Sequence, residues 1–413
     1  MSPLTRREFL KTLAVFAATP LLGNKLNRLD PLTQAPSQMV DVYVARNGSP
    51  VSNVRRVIDI AGGIHRFIDS DDVVVLKPNG QWPNQGYTHT QCIKALIDKI
   101  LDRPGGFAGE IILTEHVHRD PVTAMSGNYC WNMSEGNRVN NWPDMNYLEL
   151  IADYQNQGFP NVTADPLYES GQGNWEKVTG PDMVGSGNQG WVHSSYMTFA
   201  NGRTVELSYP ILRSSYSDRL IDLKNGVWQG GAYTGQNVKL IFLPNLNNHG
   251  IFNYEDYAGP TSALKTHIGV VDFNNLSNYN LHSVGYYNPI SPHAMGESVG
   301  YLITQLLRPT FYMTCAEFTG YRSRTDPIAA HTRTVGLSTD PVTLDYWMCK
   351  YVMYPCAPSQ AFMNPDNDNN LRKALVGCNS KGVGTIVEAE MNVHLSDMSF
   401  DKRIYMPVVV DSP

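Results

Sequence analysis

Glu115-His116-Val117-His118 packs a carboxylate and two imidazoles into four residues, directly after a run at 110–114 that reads as a buried strand. If the chain stays extended there, His116 and His118 project to one face and Glu115 and Val117 to the other. Two imidazoles on one face suit a divalent metal, so Glu115, His116 and His118 are the metal-ligand candidates. Solvated loop histidines would show the same spacing. A second group has acid/base character. Lys77 ends the β-branched run 71–77 beside Pro78-Asn79-Gly80, and His249 follows the run 238–243 within a Pro-Asn-Leu-Asn-Asn-His-Gly turn. Lys265 and His267 come within twenty residues of His249. Basic groups converging on one place can bind an anion or exchange protons with it. His249 and His267 are the pair that could sit on opposite sides of a substrate carbon. Asp340 joins this catalytic set as a carboxylate at a strand end, although an N-cap role before Pro341 would explain it fully. Asn79, Thr88, His89 and Asp345 are ligand-binding candidates. Asp345 lies beside an apolar helix stripe, where a carboxylate needs a partner.

These groups need elements to carry them. The run 40–45 alternates as a strand does, and 51–63 has a helical apolar stripe at Val54, Val57, Ile58 and Ala61. Between the runs ending at Lys77 and Thr114 lies the strongest amphipathic helix, 88–101, with Ile93, Leu96, Ile97, Ile100 and Leu101 on one face and Thr88 or Thr90 to cap it. Strand, helix, strand in that order implies a parallel crossover. The expected fold is therefore α/β: a mostly parallel sheet with flanking helices and Rossmann-like crossovers, its ligands at the carboxyl ends of the strands. Residues 119–235 are rich in Asn, Gly, Trp and Tyr, with one helix-like piece at 145–154. They read as an insertion of loops and hairpins over one rim. Further strands are expected at 238–243, 310–315 and 334–338, and helices at 295–307 and after Asp340. The domain division is then a leader at 1–38 and one α/β domain over 39–413.

Composition narrows the function. The 413 residues carry a net charge of −6 with no basic tract beyond the N-terminus, which disfavours nucleic-acid binding. No stretch of 18 apolar residues occurs, so no ordinary membrane span is expected. The six cysteines form no C-x-x-C pair, so no iron–sulfur cluster or zinc ribbon is expected, and buried thiols are. G-x-S-x-G, P-loop, Rossmann-glycine and H-E-x-x-H patterns are missing from the sequence, which disfavours serine-hydrolase, NTPase, NAD-enzyme and zincin readings.

The N-terminus reads Thr5-Arg6-Arg7-Glu8-Phe9-Leu10-Lys11 ahead of a short apolar stretch. It resembles the S/T-R-R-x-F-L-K twin-arginine export signal. That resemblance implies the twin-arginine translocase as a partner, a periplasmic or other extracytoplasmic location, and either cleavage within 20–38 or retention as an anchor. The route carries folded cargo.

Further segments resemble the domain-of-unknown-function family number 362 over roughly 40–390. They are Lys77-Pro78-Asn79, Thr88-His89, Thr114-Glu115, the 243–250 turn, Ala263-Leu264-Lys265-Thr266, Ser338-Thr339-Asp340-Pro341-Val342-Thr343-Leu344-Asp345, and Lys381-Gly382-Val383-Gly384. The chain departs from the family where Asn247 replaces a lysine and Thr266 an asparagine, and it has no ferredoxin-type cysteines. The strand, loop and Thr-led helix also carry a fold-level similarity to the lactate racemase catalytic fold with its nickel-pincer cofactor. Together these features lead to an exported protein with a polar ligand or metal site at the strand ends, able to do acid/base or metal-assisted chemistry on a small anionic substrate. The alternative is a non-catalytic periplasmic ligand-binding or cofactor-handling protein.

Overall fold

Valine-rich runs without alternation, such as Val73–Pro78, are buried on both faces, which requires a sheet covered on both sides. The computed structural model describes residues 39–117, 131–133, 145–198, 204–250, 253–255, 259–273, 279–281 and 292–399. In chain order the described elements begin with β1 (Val40–Arg46), α1 (Pro50–Ile60), β2 (Val73–Pro78), α2 (Thr90–Leu101), β3 (Glu110–Leu113), α3 (Tyr147–Asn156) and β4 (Val162–Ala164). A run of short strands follows: β5 (Trp175–Val178), β6 (Gln189–Thr198), β7 (Thr204–Arg213), β8 (Leu220–Asp222), β9 (Gly226–Gln229) and β10 (Ala232–Tyr233). The chain then gives β11 (Val238–Leu243), β12 (Asn245–Asn247), β13 (Tyr279–Asn280), α4 (Pro292–Tyr301), β14 (Phe311–Gly320), β15 (Ala330–Ser338), α5 (Pro341–Met348), α6 (Asn370–Asn379) and β16 (Met391–Asp397).

The main sheet runs β16-β1-β15-β14-β11-β2-β3-β4, with β12 also pairing β14. Neighbours from β14 to β4 are parallel, and β1 is parallel to β16. β15 runs against both its neighbours. A short connection joins β14 to β15, and a short connection permits only an antiparallel return. The fold is thus mixed α/β around a large, mostly parallel sheet. Along β2, Val74 and Leu76 pack with α1, α2 and α3, while Val73 and Val75 pack in the opposite core with α4, α5, α6 and the second sheet.

Two sequence features fix the helices. Ser49 caps α1 with Pro50 inside its first turn, and Asn146 and Glu149 form a capping box on α3. Within 119–235, α3 and β4 rejoin the main sheet at its edge, whereas β5 to β10 build a second sheet of their own, joined by β13. The helix expected at 295–307 starts at Pro292 and passes into a π-turn at Leu302–Leu306. The leader at 1–38 lies outside the described residues. No described helix is long and apolar enough to cross a membrane.

Candidate functional site

Because β2, β3 and β11 are parallel and in register, their carboxyl ends reach one edge together: Phe242 pairs with Lys77, and Leu76 with Leu113. Lys77 follows Val73 and Val75 on the same strand face, so its side chain runs under the 259–273 segment. Its Nζ lies 2.9 Å from Glu115 Oε2, with the two side chains only 1% and 2% exposed. The same ammonium donates to Thr266 Oγ1 at 3.1 Å. Glu115 also accepts the His116 N–H at 2.8 Å. Burial pushes the Glu115 carboxyl up; the Lys77 charge and these hydrogen bonds pull it back only in part, and it stays raised. Gly269 closes over the pair. A Cβ there would lie 2.6 Å from Lys77 Nζ and 2.9 Å from Glu115 Oε1, so only glycine lets the backbone approach.

A cleft of about 70 Å³ opens beside this pair, lined also by Asn79, Trp82, Asn247, His249, Lys265, Thr266 and Arg324. At roughly 10–15 Å³ per water-sized occupant, that is room for about five to seven small atoms or groups. His249 is oriented by its Nδ1 contact with Thr261 Oγ1 at 2.8 Å. The Arg324 guanidinium donates to the His249 carbonyl and stacks 4.5 Å above the Trp82 ring. Asn247 donates to the Gln85 carbonyl at 2.9 Å, which ties the 79–87 loop to the strand end.

Asp345 and Thr88 hold this cleft without lining it, whereas Asp340, expected in the catalytic set, and His89, expected to bind ligand, are not among its lining residues. Asp345, on α5, accepts the N–H groups of Ala263 and Leu264 at 2.7 and 2.8 Å. It thereby pins the start of Lys265–Val270, the segment that brings Lys265, Thr266 and Gly269 to the cleft. Burial pushes its carboxyl up to about 6. Thr88 accepts the Asn79 N–H at 2.9 Å and its own N–H returns to the Asn79 carbonyl at 3.0 Å, bracing the loop ends. Asp340 caps α5 through the Thr343 N–H at 2.8 Å and abuts Gly384. His89 sits at the α2 cap without a capping bond, its buried ring stacked over Phe318, and burial pushes it down to about 3.

Two expected arrangements do not form. His267 is wholly buried: Nδ1–H donates to the Leu264 carbonyl at 2.9 Å and Nε2 accepts from the Tyr312 hydroxyl at 3.0 Å. Burial pushes it down to about 3, so it is a neutral strut and does not oppose His249 across the cleft. The metal set Glu115, His116 and His118 is likewise not assembled among the described residues. Glu115 faces Lys77, whereas His116 turns to Phe273 at 4.5 Å and Trp191 at 5.8 Å between ring centroids. Consecutive residues of an extended chain point apart, which explains the split. His118 lies outside the described residues, and among those residues no three His, Cys, Asp or Glu side chains gather as a metal-binding group. Cys92, Cys315, Cys349 and Cys378 are buried free thiols.

A second polar cluster gave no signal in the sequence. His193 on β6 stands between two carboxylates, Nδ1 2.8 Å from Glu206 Oε1 and Nε2 2.8 Å from Asp272 Oδ2. A register shift between His193 and Ser195 aims the ring at them. Asp272 further accepts the Ser170 N–H at 3.1 Å. Comparison with protein-family models, curated proteins and solved structures finds no match to this chain.

Proposed function

We propose that the protein is exported by the twin-arginine route and that the strand-end cleft binds a small anion on which it performs acid/base chemistry. One observation carries this reading: a buried lysine–carboxylate pair borders open room that Lys265, Arg324 and His249 also line. The twin-arginine pattern Arg6-Arg7 and the motif resemblance to the domain-of-unknown-function family number 362 support the location and the kinship. The strand–helix–strand order supports the Rossmann-like description with an insertion at 119–235, and the second sheet that β5 to β10 form there supports the hairpin-rich reading of it.

In this reading the cationic lining attracts the ligand and the buried Lys77 ammonium bonds it. An ammonium bonded to a carboxylate whose proton affinity is raised is a short proton relay, because Glu115 can take up the proton that Lys77 releases. Thr266 fixes the Lys77 rotamer, and Asp345 fixes Thr266 through the backbone. The cleft's size restricts the ligand to a few heavy atoms.

Proton chemistry is tested by incubating the protein with short carboxylic acids in D₂O and following carbon–deuterium exchange by NMR. Exchange faster than buffer alone, lost in Lys77→Met, is the expected result. Ligand-induced thermal stabilisation with no exchange would instead establish the binding-protein alternative, and neither effect would remove the site altogether.

A further inference from the structure

Asn247 lines the cleft from the end of β12 and is held there from every side. Its backbone N–H donates to the Thr261 carbonyl at 3.2 Å, and its carbonyl accepts the Thr261 N–H at 2.8 Å. Gly320 packs against its side chain: a Cβ there would lie 2.9 Å from the Asn247 Cβ. The carboxamide Nδ2 donates to the Gln85 carbonyl at 2.9 Å. A carbonyl only accepts, so this bond fixes which end of the amide is nitrogen. Oδ1 is the other end. It is buried and meets no hydrogen-bond donor among the described residues.

Neighbouring acceptors in the cleft are already engaged. Asn79 Oδ1 accepts the Asn245 N–H at 3.2 Å, Thr266 Oγ1 the Lys77 ammonium at 3.1 Å, and Glu115 Oε1 the His116 N–H at 2.8 Å. Asn247 Oδ1 is different, because a buried acceptor without a donor carries its full desolvation cost until an occupant supplies an O–H or N–H. The same cleft is lined by Lys77, Lys265 and Arg324. Three cations attract an anion and repel an ammonium group on the ligand, so the donor that suits Asn247 is a hydroxyl.

We infer that the cleft selects anions that also carry a hydroxyl, and that Asn247 sets this preference by accepting the O–H at Oδ1. The inference rests on the anion-binding reading proposed above and names the ligand class within it. Hydrogen phosphate and small hydroxycarboxylates share the required chemistry, and both fit the few heavy atoms the cleft admits. Sulfate and the matching plain carboxylates have the charge without the donor, and a site with a committed acceptor discriminates against such analogues.

The test is calorimetry with two matched pairs, phosphate against sulfate and glycolate against acetate, on the wild type and on Asn247→Leu. It is run at about pH 8, where hydrogen phosphate, like sulfate, is mainly a dianion. In the wild type the hydroxylated member of at least one pair should bind about tenfold or more tightly than its partner, and in Asn247→Leu that ratio should fall to about twofold or less. Preference in the first pair assigns the site to phosphate, and preference in the second to hydroxycarboxylates. Equal binding within both pairs overturns the inference and leaves the anion cleft standing, and so does a preference that survives in Asn247→Leu. Absence of binding by all four anions overturns the cleft reading itself. The wild-type ratios alone can overturn the inference, whatever the folding of the variant.

Discussion

Among the described residues, two buried polar clusters differ in their surroundings: one borders a cleft and the other is closed in by its own partners. Lys77–Glu115 sits at the strand ends of the main sheet with a cleft beside it, while His193 is closed between Glu206 and Asp272 in the second sheet. The two are joined by one segment: Thr261, Thr266 and Gly269 line the cleft, and Asp272, three residues further, is held by His193. The contrast separates ionic groups that hold the chain from ionic groups placed to meet a ligand. Burial alone does not distinguish them; the presence of room does.

That contrast can be broken most forcefully at His193. His193→Ala leaves two buried carboxylates without the imidazole between them, and a loss of roughly 3–5 kcal/mol is expected in urea unfolding at pH 7. A loss under about 1 kcal/mol would mean the cluster does not latch the chain. Lys77→Met should cost less, roughly 2–4 kcal/mol, because burial raises the Glu115 carboxyl's proton affinity and the glutamate can take up a proton once the ammonium is gone. The double variant with Glu115→Leu should recover part of that loss, giving a coupling of about 1–3 kcal/mol.

Asp345 makes a pH prediction. Its folded carboxyl titrates near 6, above the ordinary 3.8, so the folded state holds this proton longer than the unfolded chain. Its contribution therefore favours folding below about pH 4 and is lost as pH rises through 6, by on the order of 2–3 kcal/mol. Asp345→Asn should flatten that slope between pH 4 and 7, and an unchanged slope would refute the assignment. Gly269→Ala is the mildest change, about 1–3 kcal/mol from crowding Lys77 and Glu115, but it should abolish anion-induced thermal stabilisation of the cleft.

The meeting of polar residues at the strand ends was legible because parallel strands announce themselves. The runs that lead into Lys77, Glu115 and His249 are local patterns, and parallel pairing brings their ends together. The N-cap role of Asp340 was readable from the Pro341 that follows it; the role of His267 was less legible, since sequence gives a residue type and not the hydrogen bonds that already satisfy it. Thr266 and Gly269 matter through contacts with Lys77, nearly two hundred positions earlier. Arg324, in the β14–β15 connection, and His193, aimed by a strand irregularity, depend wholly on tertiary placement. The edge strands β4 and β16 were missed because short or half-exposed strands lack a strong period.

The most direct measurement is the equilibrium affinity of acetate, malonate and inorganic phosphate for the wild type and for Lys77→Met, by calorimetry at pH 7 and matched ionic strength. At least one of these anions should bind the wild type, and the variant, shown folded by circular dichroism, should bind it about tenfold or more weakly, a difference of about 1.4 kcal/mol. Equal affinity in the two proteins, or no binding by the wild type, would contradict the assignment of the Lys77–Glu115 cleft as the functional site.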